Sequence, residues 1–108
     1  MTDHRDIETG YLVAEVEFCL DEFAQLDVAV WNTGIRPQHR IAGRPYTFIG
    51  QLDFIGRNTL GPGECCRAKA SCVIAEQDRP YFVAGFCWHV CKMDRIVGYA
   101  RYVSAFNG

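Results

Sequence analysis

Apolar and polar residues alternate along several short stretches of this chain. Between residues 11 and 20, Leu12, Ala14, Val16, Phe18 and Leu20 share one parity, while Tyr11, Val13, Glu15, Glu17 and Cys19 share the other. Successive strand side chains point to opposite faces, so this stretch reads as a half-buried strand with the first row inward. Glu15 and Glu17 then lie on a solvated face, where paired glutamates usually belong. Residues 64–75 alternate in the same way. Cys66, Ala68, Ala70, Cys72 and Ile74 fall inward and Cys65, Arg67, Lys69 and Ser71 outward. So many small inward residues would let a sheet curve tightly or another layer approach.

Residues 79–103 hold much of the aromatic mass and read as two strands joined near residues 92–95. Phe82, Ala84, Phe86, Trp88 and Val90 form the row expected inward. Tyr81, Val83, Gly85, Cys87, His89 and Cys91 form the other. Met93-Asp94 supplies the turn, with Asp tolerant of unusual backbone angles. Gly98 in the return strand marks a bulge, a bend or a close backbone approach. The density of Trp, Tyr, Val and Phe, with glycines inside the runs, sets strand above helix.

Residues 46–55 are strand-like, with a bend expected at Gly50. In residues 56–63 the Pro62-Gly63 pair favours a type II turn. Residues 21–34 are open to a helical turn, a short strand near residues 28–31 or a loop. Residues 35–44 carry Pro37 and several cations and are expected at a sheet edge or in a loop, since proline cannot donate to a ladder. Residues 1–10 are expected to be a flexible tail ahead of one domain over residues 11–106. Short strands separated by turns indicate an all-β barrel or sandwich.

At 108 residues the chain fits one domain, and 49% hydrophobic content excludes disorder for its body. No apolar run is long enough to span a bilayer. No leader pattern opens the chain, which predicts a cytoplasmic protein without membrane contact. The six cysteines are then expected to be reduced. A net charge of −2 gives no global attraction to nucleic acid.

Five local motifs, in order, resemble the C-terminal (third) β-barrel domain of elongation factor Tu. They are Ala14-Glu15-Val16, Gly34-Ile35-Arg36-Pro37-Gln38, Ile49-Gly50-Gln51-Leu52-Asp53-Phe54, Pro62-Gly63-Glu64 and Arg95-Ile96-Val97-Gly98-Tyr99-Ala100. The resemblance implies a small antiparallel barrel of about six to seven strands. It also implies an association with tRNA or with a GTPase domain. The chain carries no G-x-x-x-x-G-K-[ST] phosphate loop of its own. Residues 39–45 depart from the family by being polar and interrupted by Gly43 and Pro45.

Two segments carry candidate chemistry. Arg36, Gln38, His39, Arg40 and Arg44 concentrate donors suited to carboxylates or phosphates, and are expected to bind a protein partner from a loop or sheet edge. Binding of RNA is the second expectation and a thiol or metal site around His89 the third; self-association through exposed aromatics such as Trp31 or Tyr99 is included in protein binding. Cys87, His89 and Cys91 are metal-ligand types. On one strand, however, Cys87 and Cys91 would stand about 13 Å apart, too far to share an ion. A metal would need a neighbour such as Cys19 or Cys65. A thiol activated by His89 lacks an assignable third group. The expectation is therefore a non-catalytic interaction module without cofactor or metal.

Overall fold

A computed structural model describes residues 7–23 and 30–106. Eight strands follow one another: β1 (Thr9–Leu20), β2 (Trp31–Asn32), β3 (Gln38–Arg40), β4 (Phe48–Phe54), β5 (Thr59–Leu60), β6 (Cys65–Ala75), β7 (Cys87–Lys92) and β8 (Arg95–Ala105). A 3-10 helix at Glu76–Tyr81 joins β6 to the segment before β7. Six strands close into an antiparallel barrel in the order β1-β6-β4-β3-β7-β8. β2 and β5 form a separate two-stranded ribbon. Among the described residues, no helix is long and apolar enough to cross a membrane.

The alternation expected for β1 and β6 is what closes the barrel. Ala14, Val16, Phe18, Ala68, Ala70 and Cys72 are completely buried. The buried alanines Ala14, Ala68 and Ala70 leave room for the walls to approach, and aromatics fill the two ends. Phe48 and Phe54 mark these ends, being the first and last residues of β4. At one end Phe18 stacks on Trp31 and Phe54 at 5.8 and 6.1 Å beneath the β2–β5 ribbon. At the other, Phe48, Phe82, Phe86 and Trp88 pack edge to face or tilted, the closest pair being Phe82–Trp88 at 5.1 Å. Offset and edge-on aromatic pairs add stabilisation beyond their buried area.

The expected turns are present. The Glu64 N–H donates to the Gly61 carbonyl across Pro62-Gly63, and Gly63 has φ +82, as a type II turn requires. In the β7–β8 hairpin it is Met93, at φ +57, that takes the unusual backbone angle, rather than Asp94. Gly98 meets the expectation of a close backbone approach. A Cβ there would stand 2.2 Å from the Cys19 carbonyl oxygen of β1. Backbone cannot yield as a flexible side chain can, so Gly98→Ala is expected to cost about 2–3 kcal/mol, read as a lower urea midpoint with an unchanged slope.

Other expectations are corrected. Residues 79–86 are not strand: they comprise the end of the 3-10 helix and a turn at Gly85, φ +92. Pro80 supplies no ladder donor, and Asp78 is buried just before it. Phe82 and Phe86 still reach the core from this irregular segment, whereas Ala84 is exposed. The flexible tail expected over residues 1–10 lies outside the described residues up to residue 6, and Thr9 and Gly10 already belong to β1. The strand expected near residues 28–31 lies outside them at 28–29, while Trp31 opens β2.

The cysteines are not all reduced. β1 pairs with β6 so that Cys19 faces Cys65, and the two form a disulfide. Alternation alone had placed both on the outer face; only the register reveals that they meet. Cys66, Cys72, Cys87 and Cys91 are free thiols.

Candidate functional site

Residues 36–37 and 41–44 are irregular, with a turn at Ala42-Gly43, as a loop expectation has it, but the strand between them is not a sheet edge. β3 is hydrogen-bonded to β4 on one side and β7 on the other, which splits the segment's side chains three ways. Arg36, Gln38 and Arg40 are exposed, His39 points into the barrel, and Arg44 turns toward the 3-10 helix.

His39 is completely buried. The Trp88 Nε1–H donates to its Nδ1 at 2.9 Å. An indole nitrogen only donates, so Nδ1 is unprotonated and Nε2–H must donate to the Gly50 carbonyl at 3.0 Å. The ring stacks on Phe48 at 5.0 Å. Gly50 is glycine because a Cβ would stand 2.6 Å from Cys72 Sγ and 2.7 Å from His39 Nε2. Burial pulls the imidazole pKa down to about 4, partly opposed by the Gly50 hydrogen bond. His39 is thus a neutral, satisfied core residue that offers nothing to a partner, which corrects its placement in the binding set.

Arg44 is also committed. It pairs with the buried Asp78 at 3.1 Å and lies over the Tyr81 ring at 5.3 Å. Tyr46 donates its hydroxyl to the same carboxylate. A buried carboxylate needs such partners, so Arg44 anchors the 3-10 helix to the β3–β4 connection.

The remaining guanidinium groups form a pattern. Arg57, Arg67, Arg79 and Arg101 pair with Glu64, Glu15, Glu76 and Glu17 respectively. Arg36 Nε donates to Gln51 Oε1 at 2.8 Å, a neutral acceptor. The Arg40 side chain makes no hydrogen bond or ion pair among the described residues, while its backbone belongs to the β3–β7 ladder. Gln38 and Arg40 share the outer face of β3, and Arg36, exposed just before it, precedes Pro37.

Cys87, His89 and Cys91 do not converge. Cys87 is exposed and its thiol lies 3.6 Å from the Gly85 carbonyl. Cys91 is buried beyond a register shift that follows Val90, and burial raises its pKa. Cys19 and Cys65, the candidate extra ligands, are bonded to each other. No three His, Cys, Asp or Glu side chains are placed to hold a metal ion among the described residues.

His89 belongs instead to a row running across the outer surface. Register sets Arg40 opposite His89, and His89 opposite Tyr99. Beside this row lies an open groove of about 590 Å³, lined by Cys87, His89, Ile96, Tyr99, Leu20, Asp21 and Ala42 among others. Sequence reasoning had named Tyr99 for self-association but missed the wall made by Leu20 and Ile96. Outward parity marked Tyr99 as exposed, but nothing local shows that the end of β1 lies beside it.

No family model matches the chain, and no curated protein matches it.

Proposed function

We propose that this chain is a non-catalytic interaction module, a barrel of the kind found in the third domain of elongation factor Tu. It binds a protein partner through the outer face of β3 and the adjoining β7–β8 surface. The observation that carries the reading is the exposed pair Arg36 and Arg40, neither of which pairs with a carboxylate among the described residues, with a groove of apolar walls on the neighbouring β7–β8 surface. Clustered arginine next to exposed aromatic and aliphatic surface is the composition of a protein-binding patch. Side chains rather than a strand edge do the binding, because β3 has both neighbours. A cytoplasmic location is part of this reading, and the Cys19–Cys65 bond would meet dithiol reductants there.

The test compares proteins captured by the wild-type chain with those captured by Arg36→Glu/Arg40→Glu. Partners of this face should be lost from the double variant while its melting temperature changes little, since both side chains are exposed and Arg36 gives up only its hydrogen bond to Gln51. An identical captured set would end the reading. Capture abolished by ribonuclease and falling steeply with salt would transfer the face to RNA.

A further inference from the structure

We propose that the outer face of β1, β6 and β4 binds the same face of a second copy of this chain, forming a two-fold dimer. This goes beyond the partner-binding reading and needs nothing from it. Register places Tyr11, Val73 and Ile49 side by side across the three strands. They are 78%, 39% and 48% exposed. Four residues further along the same strands the outer row is Glu15, Lys69 and Asp53, as expected of a solvated sheet face. The apolar row is therefore a local patch, extended by Val13 and Ile7, which are also exposed.

Shape, charge and area select a copy of the chain as the occupant. Beside the row lies an open hollow of about 530 Å³, walled by Ile7, Thr9, Tyr46, Ile49 and Val73 among others. Tyr11 is not part of that wall and projects as an exposed ring. A two-fold axis running along β6 at Val73 carries Tyr11, about 5 Å to one side, over Ile49, about 5 Å to the other. Each copy then lays its ring on the Ile49 edge of the other's hollow, and the same contact is made twice. Glu15 and Glu76, which border the patch, are already paired with Arg67 and Arg79. Two copies therefore meet there without opposing unpaired charges of one sign. The uncovered apolar surface is on the order of 400 Å², a size at which patches on single chains are often functional. With its polar rim, the contact reaches the roughly 600 Å² per copy at the lower end of specific interfaces. That size sets the expected dissociation constant in the micromolar rather than the nanomolar range.

Sedimentation velocity between about 1 µM and 1 mM tests the proposal, with the weight-average mass expected to rise toward twice that of the chain. Tyr11→Glu and Ile49→Lys should each weaken dimerisation at least about tenfold. Far-ultraviolet dichroism should be unchanged in both, because both side chains are exposed. Mixed in equal amounts, the two variants should regain a dimer. The axis sets the introduced carboxylate against the introduced ammonium at one contact and leaves Tyr11 against Ile49 at the other. A wild-type chain that stays monomeric at every concentration would overturn the proposal, and its co-sedimentation with phosphatidylcholine vesicles would give the face to a lipid surface instead. A dimer that both variants leave intact would also overturn it. Variants that dissociate singly but find no rescue on mixing would overturn the pairing of Tyr11 with Ile49 about the axis.

Discussion

Removing the Cys19–Cys65 bond is expected to lower the unfolding free energy by about 4 kcal/mol. The two residues are 46 apart in sequence, and cross-linking a loop of that length removes much of the entropy of the unfolded chain. A domain of this size has a total stability of about 5–15 kcal/mol, so the reduced form should stay folded but marginal. Urea unfolding with and without a dithiol reductant measures the difference. The Cys19→Ala/Cys65→Ser variant should match the reduced protein, with alanine at the buried position to avoid an unsatisfied hydroxyl. Thiol titration of the unfolded, unreduced chain should find four reactive groups, those of Cys66, Cys72, Cys87 and Cys91. Six would exclude the bond. Cys19 adjoins Leu20 on the groove wall and faces Tyr99 across β8, so loss of the bond loosens the groove as well.

Stability should also fall by about 3 kcal/mol as pH drops from 6.5 to 4, through His39 alone. The folded chain holds this imidazole at about 4, and the unfolded chain returns it to 6.5. Between those values the unfolded state binds the extra proton, so protonation favours unfolding. The contribution is complete above 6.5, declines through the window and is exhausted below 4. Protonating Nδ1 would turn an acceptor into a donor facing the Trp88 N–H, so the loss includes a hydrogen bond. His39→Phe isolates the effect. It should be less stable at neutral pH, because Trp88 loses its acceptor, yet show a flatter dependence on pH across this window. Equal slopes in the two proteins would refute the assignment.

What the chain reveals locally and what it conceals divide along one physical line. The inward rows of β1 and β6, the Pro62-Gly63 turn and the approach at Gly98 depend on a few consecutive residues, and each is readable. His39 is concealed because its acceptor role is set by Trp88, 49 residues away, and its space by Gly50. Flanked by Gln38 and Arg40, it looks like one more polar group on a basic segment. Arg44 finds Asp78 34 positions later, beside the proline that ends the apparent strand over residues 79–86. The aromatic row there is genuine core, yet part of it arrives by an irregular path that alternation cannot distinguish from a strand. Of the expected partner-binding residues, Arg36, Gln38 and Arg40 are exposed. The groove lies on the neighbouring β7–β8 surface and forms only where the end of β1 meets that hairpin.

Pairing of β8 with β1 makes the ring an all-or-nothing object during synthesis. Until the ribosome has released residues 95–105, β1 and β7 each present a bare row of amide and carbonyl groups to any passing strand. An unfinished or clipped copy is therefore a template for clumping rather than a smaller working version, and quality control would have to act on it before the seam is zipped.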